Sequence, residues 1–345
     1  MAGQVIKGAT VLVATVVMTL SALCQRAVFC LSAAEPAGEY TVHSVQKDRA
    51  HRSAIARDTI SGERAMTTSE TVTATTPPPE GQYAELSNGR KIHYLDYGEG
   101  PAVVFLHGSG AGASGHSNFK GNYPYFAQVG FRVIVPDLIG YGYSDKPDDV
   151  EYPLSFFSEN VSLLLQHLGL DEVSLVGNSL GGAIALHIAL EQPALVNKML
   201  LMAPGGIEDQ PAYAAMPGMK IFFETFAGEP SKEALKQFLS EALVHDNAFV
   251  DDQLVDERWH VFQRQNPQAV KTMQVPNLSA RLGELKIPVL VMWGLNEKIM
   301  PPTGIETLAK GIDDVRVVLV SNCGHWVMVE HSDYFNRMTE DFLEN

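Results

Sequence analysis

The chain is poor in cysteine, poor in basic residues and free of cofactor signatures. Its three cysteines, Cys24, Cys30 and Cys323, make neither a disulfide framework nor a zinc spacing. No dinucleotide fingerprint and no cluster of carboxylates and histidines occurs, so no cofactor and no metal is expected. Lys+Arg number 25 against Asp+Glu 40, a net charge of −15. That balance, without a basic aromatic patch, argues against nucleic acid as a partner.

The one long apolar run, Gly8 to Cys24, follows Lys7 and carries no charge. It reads as a signal-peptide core or a short anchor, with Ser32-Ala33-Ala34 as a cleavage site. Membrane contact is expected only if this segment is retained. Residues 35–80 are polar and end in Thr76-Pro-Pro-Pro-Glu80, which reads as a disordered linker after a signal-like segment 1–34. Residues 1–80 hold seven Lys+Arg and seven Asp+Glu, so the whole net charge belongs to residues 81–345. Translation starting at Met66 would give a cytoplasmic protein; a genuine N-terminal segment would give an exported or anchored one.

Residues 81–345 read as the folded domain, and its most informative segment is Gly177-Asn178-Ser179-Leu180-Gly181. A short apolar strand, Glu172 to Val176, precedes this G-x-S-x-G pentapeptide. A helix-like run, Gly182 to Leu190, follows it. A serine on such a sharp strand-to-helix turn is pushed out above the sheet edge, at a helix N-terminus. Ser179 is therefore the candidate nucleophile, and it needs a base and an orienting acid. Along such a chain the order is Ser, acid, His. Of eleven histidines, only His325 and His331 lie in the last forty residues. His325 follows a strand-like run and a turn, so it is the candidate base. His331 opens the C-terminal helix as a surface or capping residue.

In the fold built around such a serine turn, the acid usually follows a strand, here Ile287 to Trp293, and stands three residues past a glycine and four before a proline, here Gly294 and Pro301. That position is Glu297. Asn296 carries no charge, and Glu208 or Asp209 is the alternative acid. An early strand, Ala102 to Leu106, runs into the glycine loop His107 to Gly115. The N–H groups of Ser109 or Gly108, with that of Leu180, are expected to form an oxyanion hole. His107 reads as a structural residue that shapes the loop. Strand–helix alternation is interrupted at 207–282 by helical stretches, which read as an inserted lid. The fold class is α/β, a mostly parallel sheet with helices on both faces.

From Tyr83 to Phe342 the chain resembles α/β-hydrolases of the meta-cleavage-product hydrolase group. The resemblance rests on Ser117-Asn118-Phe119 in the glycine loop, on Gly177 to Gly182 around the nucleophile, on Gly205-Gly206, on Arg258-Trp259 in the lid and on His325-Trp326. It implies cofactor-free hydrolysis of a C–C bond in a 2-hydroxy-6-oxo-dienoate, a small product of aromatic ring cleavage. It also implies that Arg258, Asn118 and Asn178 contact the polar dienoate end, with Trp326 beside the base. The chain departs from the group at Ser109 and Ala111 (usually Gly and Pro), at His116 (usually Trp) and at Glu297 (usually Asp). Enzymes of the group are often dimers or tetramers, although no residue here indicates an oligomer. A carboxylesterase or lactonase could use the same triad. A non-catalytic ligand-binding α/β-hydrolase is the reading outside catalysis. The bland role for Arg258 is a surface ion pair with Asp252, Asp256 or Glu257.

Overall fold

The computed structural model describes residues 28–34, 39–45 and 80–345. Ten strands form one sheet. They are β1 (Val28–Ala34), β2 (Glu39–Val45), β3 (Gln82–Glu85), β4 (Lys91–Tyr97), β5 (Ala102–Leu106), β6 (Arg132–Pro136), β7 (Val173–Asn178), β8 (Val196–Met202), β9 (Val289–Gly294) and β10 (Val315–Val320). Their order is β2-β1-β10-β9-β8-β7-β5-β6-β4-β3. The six strands from β6 to β10 across the middle run parallel, and β4 pairs antiparallel with β6. β7 and β9 are buried at every position, as strands covered on both faces must be. Helices Leu154–His167 and Leu180–Glu191 pack on one another, and Tyr123–Gln128 contacts Ser332–Glu344. The α/β architecture expected from alternation is the one observed.

β1 and β2 form a hairpin added antiparallel to the β10 edge. They fall in stretches read from sequence as a signal-like segment and a disordered linker, neither of which gives a strand there. Tyr40, Thr41, Val42 and Val45 favour extended backbone, a local signal diluted by the polar average over 35–80. The Gly8–Cys24 run and Met66 lie outside the described residues. Among the described residues no helix is long and apolar enough to cross a membrane.

Between β8 and β9 the chain leaves the sheet and builds a helical insertion. Its pieces include Pro217–Ala227, Lys232–Phe238, a π-helical turn Leu239–Leu243 and Asp252–Phe262. Leu278 N–H donates to Gly206 O at 2.7 Å, so the insertion departs and returns through one narrow neck. This sets the insertion over the C-terminal ends of β5, β7 and β9, where open α/β sheets place their sites.

Candidate active site

Ser179 joins β7 to the helix Leu180–Glu191 with φ 57 and ψ −117. A non-glycine residue there is strained and held only by its surroundings. Three bonds hold it: Ser179 N–H donates to Met202 O (3.0 Å), and Ser179 O accepts from Ala183 N (3.1 Å) and Gly205 N (2.9 Å). A Cβ on Gly181 would lie 2.0 Å from Leu106 O, and one on Gly177 would lie 2.5 Å from Gly181 O. These close approaches, rather than flexibility, explain the flanking glycines of the pentapeptide.

Ser179 and His325 line the same cavity, and both are buried. His325 Nδ1 lies 2.6 Å from Glu297 Oε2. Glu297 Oε1 accepts from the N–H groups of Ile299 (2.6 Å) and Met300 (3.2 Å). The Glu297 side chain is thus fixed at both oxygens. The alternative acids are engaged elsewhere. Glu208 Oε1 accepts from Thr307 (3.4 Å), and Asp209 Oδ1 accepts from Asn277 (2.9 Å). Asn296 Oδ1 accepts from Cys323 N (3.3 Å), bracing the histidine loop. His331 Nε2 lies on Asn322 O at 3.0 Å.

Gly108, Ser109 and Leu180 line the cavity beside Ser179, and a Cβ on Gly108 would stand 3.1 Å from Ser179 Cβ. Leu180 opens its helix, so its N–H has no intrahelical acceptor. His107 is fully buried; Nδ1–H donates to Gly108 O (2.7 Å) and Nε2 accepts from Leu138 N–H (3.0 Å). That pattern requires the neutral ring. Burial lowers its pKa to about 4, opposed in part by Asp137. His107 shapes the glycine loop.

Arg258 projects from helix Asp252–Phe262 and is fully buried. Its guanidinium donates to Ala111 O (3.1 and 2.9 Å), Ser117 Oγ (3.3 Å) and Asn118 Oδ1 (3.2 Å), and it lies 4.7 Å from the Trp326 ring centroid. All these acceptors are neutral. Asp252, Asp256 and Glu257 pair instead with Lys236, Lys232 and Lys120. The surface ion pair that was the bland role for Arg258 is absent. Burial lowers its pKa to about 10, which leaves it charged at neutral pH.

Asn178 Nδ2 donates to Met202 O and His325 O, both at 3.3 Å, while Asn178 Oδ1 is buried with no partner. Beyond these groups the cavity wall is mostly apolar, with Met219, Phe222, Met273, Val275, Ile299 and Met300, and with Gln210 and Tyr213 as its further polar side chains. Sequence reasoning did not find this wall, because its residues come from distant segments folded over one spot. It also missed Gln265, whose Oε1 accepts from Gly112 N–H (2.9 Å) and ties the glycine loop to the lid.

The model of the alpha/beta hydrolase fold family matches residues 101–332, and the chain belongs to that family. Its relatives narrow the group to hydrolases of meta-cleavage products. A 2-hydroxy-6-oxo-6-phenylhexa-2,4-dienoate hydrolase of Burkholderia cepacia is 41% identical over 271 residues, covering 75% of this chain and 93% of that protein. A 2-hydroxy-6-oxononadienedioate/2-hydroxy-6-oxononatrienedioate hydrolase of Comamonas testosteroni is 40% identical over 271 residues, with the same coverage. The solved meta-cleavage product hydrolase of Pseudomonas fluorescens IP01 (CumD) matches with a TM-score of 0.68 at 25% identity, covering 76% of this chain and 97% of that one.

Proposed function

We propose that the protein hydrolyses a C–C bond in a 2-hydroxy-6-oxo-dienoate, with Ser179 as nucleophile, His325 as base and Glu297 as orienting acid. The observation that carries this reading is Arg258, a buried cation in the cavity that holds Ser179, whose hydrogen-bond partners are all neutral and whose nearby carboxylate, Glu257, pairs with Lys120. A buried guanidinium surrounded only by neutral acceptors is costly, and an incoming carboxylate offsets that cost. Both relatives named above act on substrates with a carboxylate at one end and a ketone further along. Asn118 stands beside Arg258 at the carboxylate end. The unpartnered Oδ1 of Asn178 would accept from the substrate's 2-hydroxyl.

The dienol first becomes a ketone: the 2-hydroxyl loses its proton to solvent, and C5 takes a proton from solvent. Ser179 Oγ then adds to the far carbonyl as His325 takes its proton. Glu297 holds the imidazole and balances its charge. The N–H groups of Leu180 and of Ser109 or Gly108 would stabilise the oxyanion. Collapse breaks the C5–C6 bond: the electron pair leaves with the hydroxypentadienoate fragment, which takes the proton held by His325, and the acyl-serine that remains is released as the acid by water from which His325 takes a proton.

The far end of the cavity should take an uncharged side group. Arg258 is the only Lys or Arg among the residues lining it, and Met219, Phe222, Met273 and Ile299 offer a second carboxylate no counter-charge. A phenyl or alkyl dienoate fits that wall; for the second carboxylate of a dienedioate the lining offers Gln210 and Tyr213 but no second cation. A simple ester or lactone would leave Arg258 uncompensated, so the C–C reading is preferred. The test is bleaching of the yellow phenyl dienoate by the purified protein, with Ser179→Ala as control. Rapid bleaching lost in the variant supports the reading. Absent bleaching with efficient cleavage of p-nitrophenyl esters would replace it with an esterase.

A further inference from the structure

The loop that carries His325 is tied to the lid by a carboxylate outside the proposed triad. We propose that Glu330 is a positioning residue that sets the base by locking the His325 loop to the lid. The proposal rests on the reading of Ser179 and His325 as nucleophile and base.

Glu330 is 7% exposed and lies five residues after His325, at the end of the short helix Val327–Glu330. Its carboxylate accepts three main-chain N–H groups from two separate segments. Oε1 takes Gly324 N–H at 2.7 Å, directly before His325. Oε2 takes His245 N–H at 2.7 Å and Asp246 N–H at 3.1 Å, just past the π-helical turn of the lid. A second tie lies beside the first: His325 N–H donates to Leu243 O at 2.8 Å. The two backbones touch, since a Cβ on Gly324 would lie 2.7 Å from Leu243 O. Leu243 also lines the cavity. Seating of the lid and placement of the base are therefore one structural event. Glu297 fixes the imidazole ring, and Glu330 fixes the backbone from which that ring projects. π-helical turns are frequent at functional sites, and this one ends where the lid meets the base.

The chemistry of the carboxylate makes the role specific. Its two oxygens point at donors on opposite sides. A carboxamide has one oxygen and one NH2 group, so Glu330→Gln must set donor against donor on either the loop or the lid. A buried main-chain N–H left without an acceptor is costly, and the loop would shift to find water.

The test uses the full chain and an alkyl fluorophosphonate. Ser179 Oγ bonds to phosphorus, fluoride leaves with the electron pair, and His325 takes the hydroxyl proton. The reaction needs the serine and the base but not the dienoate, so it is independent of substrate identity. The maximal labelling rate and the half-saturating probe concentration are measured for wild type, Glu330→Gln and Glu330→Asp, with thermal melts and labelling stoichiometry. Because misplacement of a catalytic group by about 1 Å costs up to roughly a hundredfold, the labelling rate of E330Q should fall by about tenfold or more. Half-saturation should stay within about threefold and stoichiometry near complete, and E330D, which keeps the charge but is one methylene short, should fall between. A rate within about twofold of wild type overturns the proposal. So does a loss explained by fewer competent sites at an unchanged rate per site, the signature of a purely structural residue. If E330Q does not fold, an unchanged rate in E330D overturns it. Absent labelling of wild type would instead defeat the reading of Ser179, and this proposal with it.

Discussion

Arg258 and Trp326 stack with the guanidinium carbon 4.7 Å from the ring centroid, one carried by the lid and the other by the residue after His325. The cation that would hold the substrate's carboxylate thus packs on the neighbour of the base. Binding at one end of the cavity and chemistry near Ser179 share a wall. Replacing Arg258 with Met should therefore act on anionic substrates selectively. Loss of one partner of a buried charge pair costs about 2–5 kcal/mol, so kcat/KM for a dienoate should fall by about thirtyfold or more. For a neutral p-nitrophenyl ester it should stay within about threefold. Equal losses on both would mean that Arg258 only holds the lid.

Glu297 offers a second test. Amide-for-acid replacement at the orienting position typically lowers kcat by about ten-thousandfold, and Glu297→Gln should approach that. Glu297→Asp is more informative. The glutamate spans from the N–H groups of Ile299 and Met300 to His325, and one methylene less cannot hold both ends. A loss of about tenfold to a hundredfold is expected. Steady-state kinetics on one dienoate measures both variants.

The backbone of Ser179 makes a prediction about stability. Its φ of 57 and ψ of −117 cost about 1–3 kcal/mol for a residue with a Cβ. Glycine adopts that conformation freely but costs about 0.5–1 kcal/mol more to order. Ser179→Gly should be inactive and more stable than wild type by about 1 kcal/mol. Denaturant unfolding of the two proteins, at equal m-value, checks it.

His107 sets a pH dependence. Its pKa is lowered in the fold to about 4, chiefly by burial, from the ordinary histidine value of 6.5. Between those values the unfolded chain binds a proton that the folded one does not. Stability must therefore fall as pH drops from 6.5 toward 4, with a slope of up to about 1.4 kcal/mol per pH unit from this residue. His116 and His187, also lowered chiefly by burial, act in the same direction. Melting temperatures measured across that range should show the loss, and His107→Gln should flatten it.

Much of the architecture is legible in local patterns. The apolar runs before Ser179, Gly108 and Glu297 announce parallel strands, and the helix-like run after Ser179 announces the elbow. Ser179 and His325 are singled out as candidates by motif and chain order, and Glu297 by its spacing from Gly294 and Pro301. Arg258 has no local signal of its own: its helix reads as amphipathic, and only the resemblance singles it out. Its burial against Trp326 is a tertiary fact. The apolar wall is hidden for the same reason, since Met219, Met273 and Met300 meet only when the insertion closes on its neck at Gly206 and Leu278. Glu330 leaves one faint trace, a carboxylate ending the apolar turn Trp326-Val-Met-Val. Its partners His245 and Asp246 lie more than eighty residues away.

The most direct test of the central claim is a single turnover of 2-hydroxy-6-oxo-6-phenylhexa-2,4-dienoate in heavy-oxygen water, with products identified by mass. Cleavage to a hydroxypentadienoate and benzoate carrying one oxygen from solvent, lost in Ser179→Ala, is the predicted result. Recovery of intact dienoate from unlabelled protein, when a parallel sample of the same preparation labels fully at Ser179 with a fluorophosphonate, would contradict it.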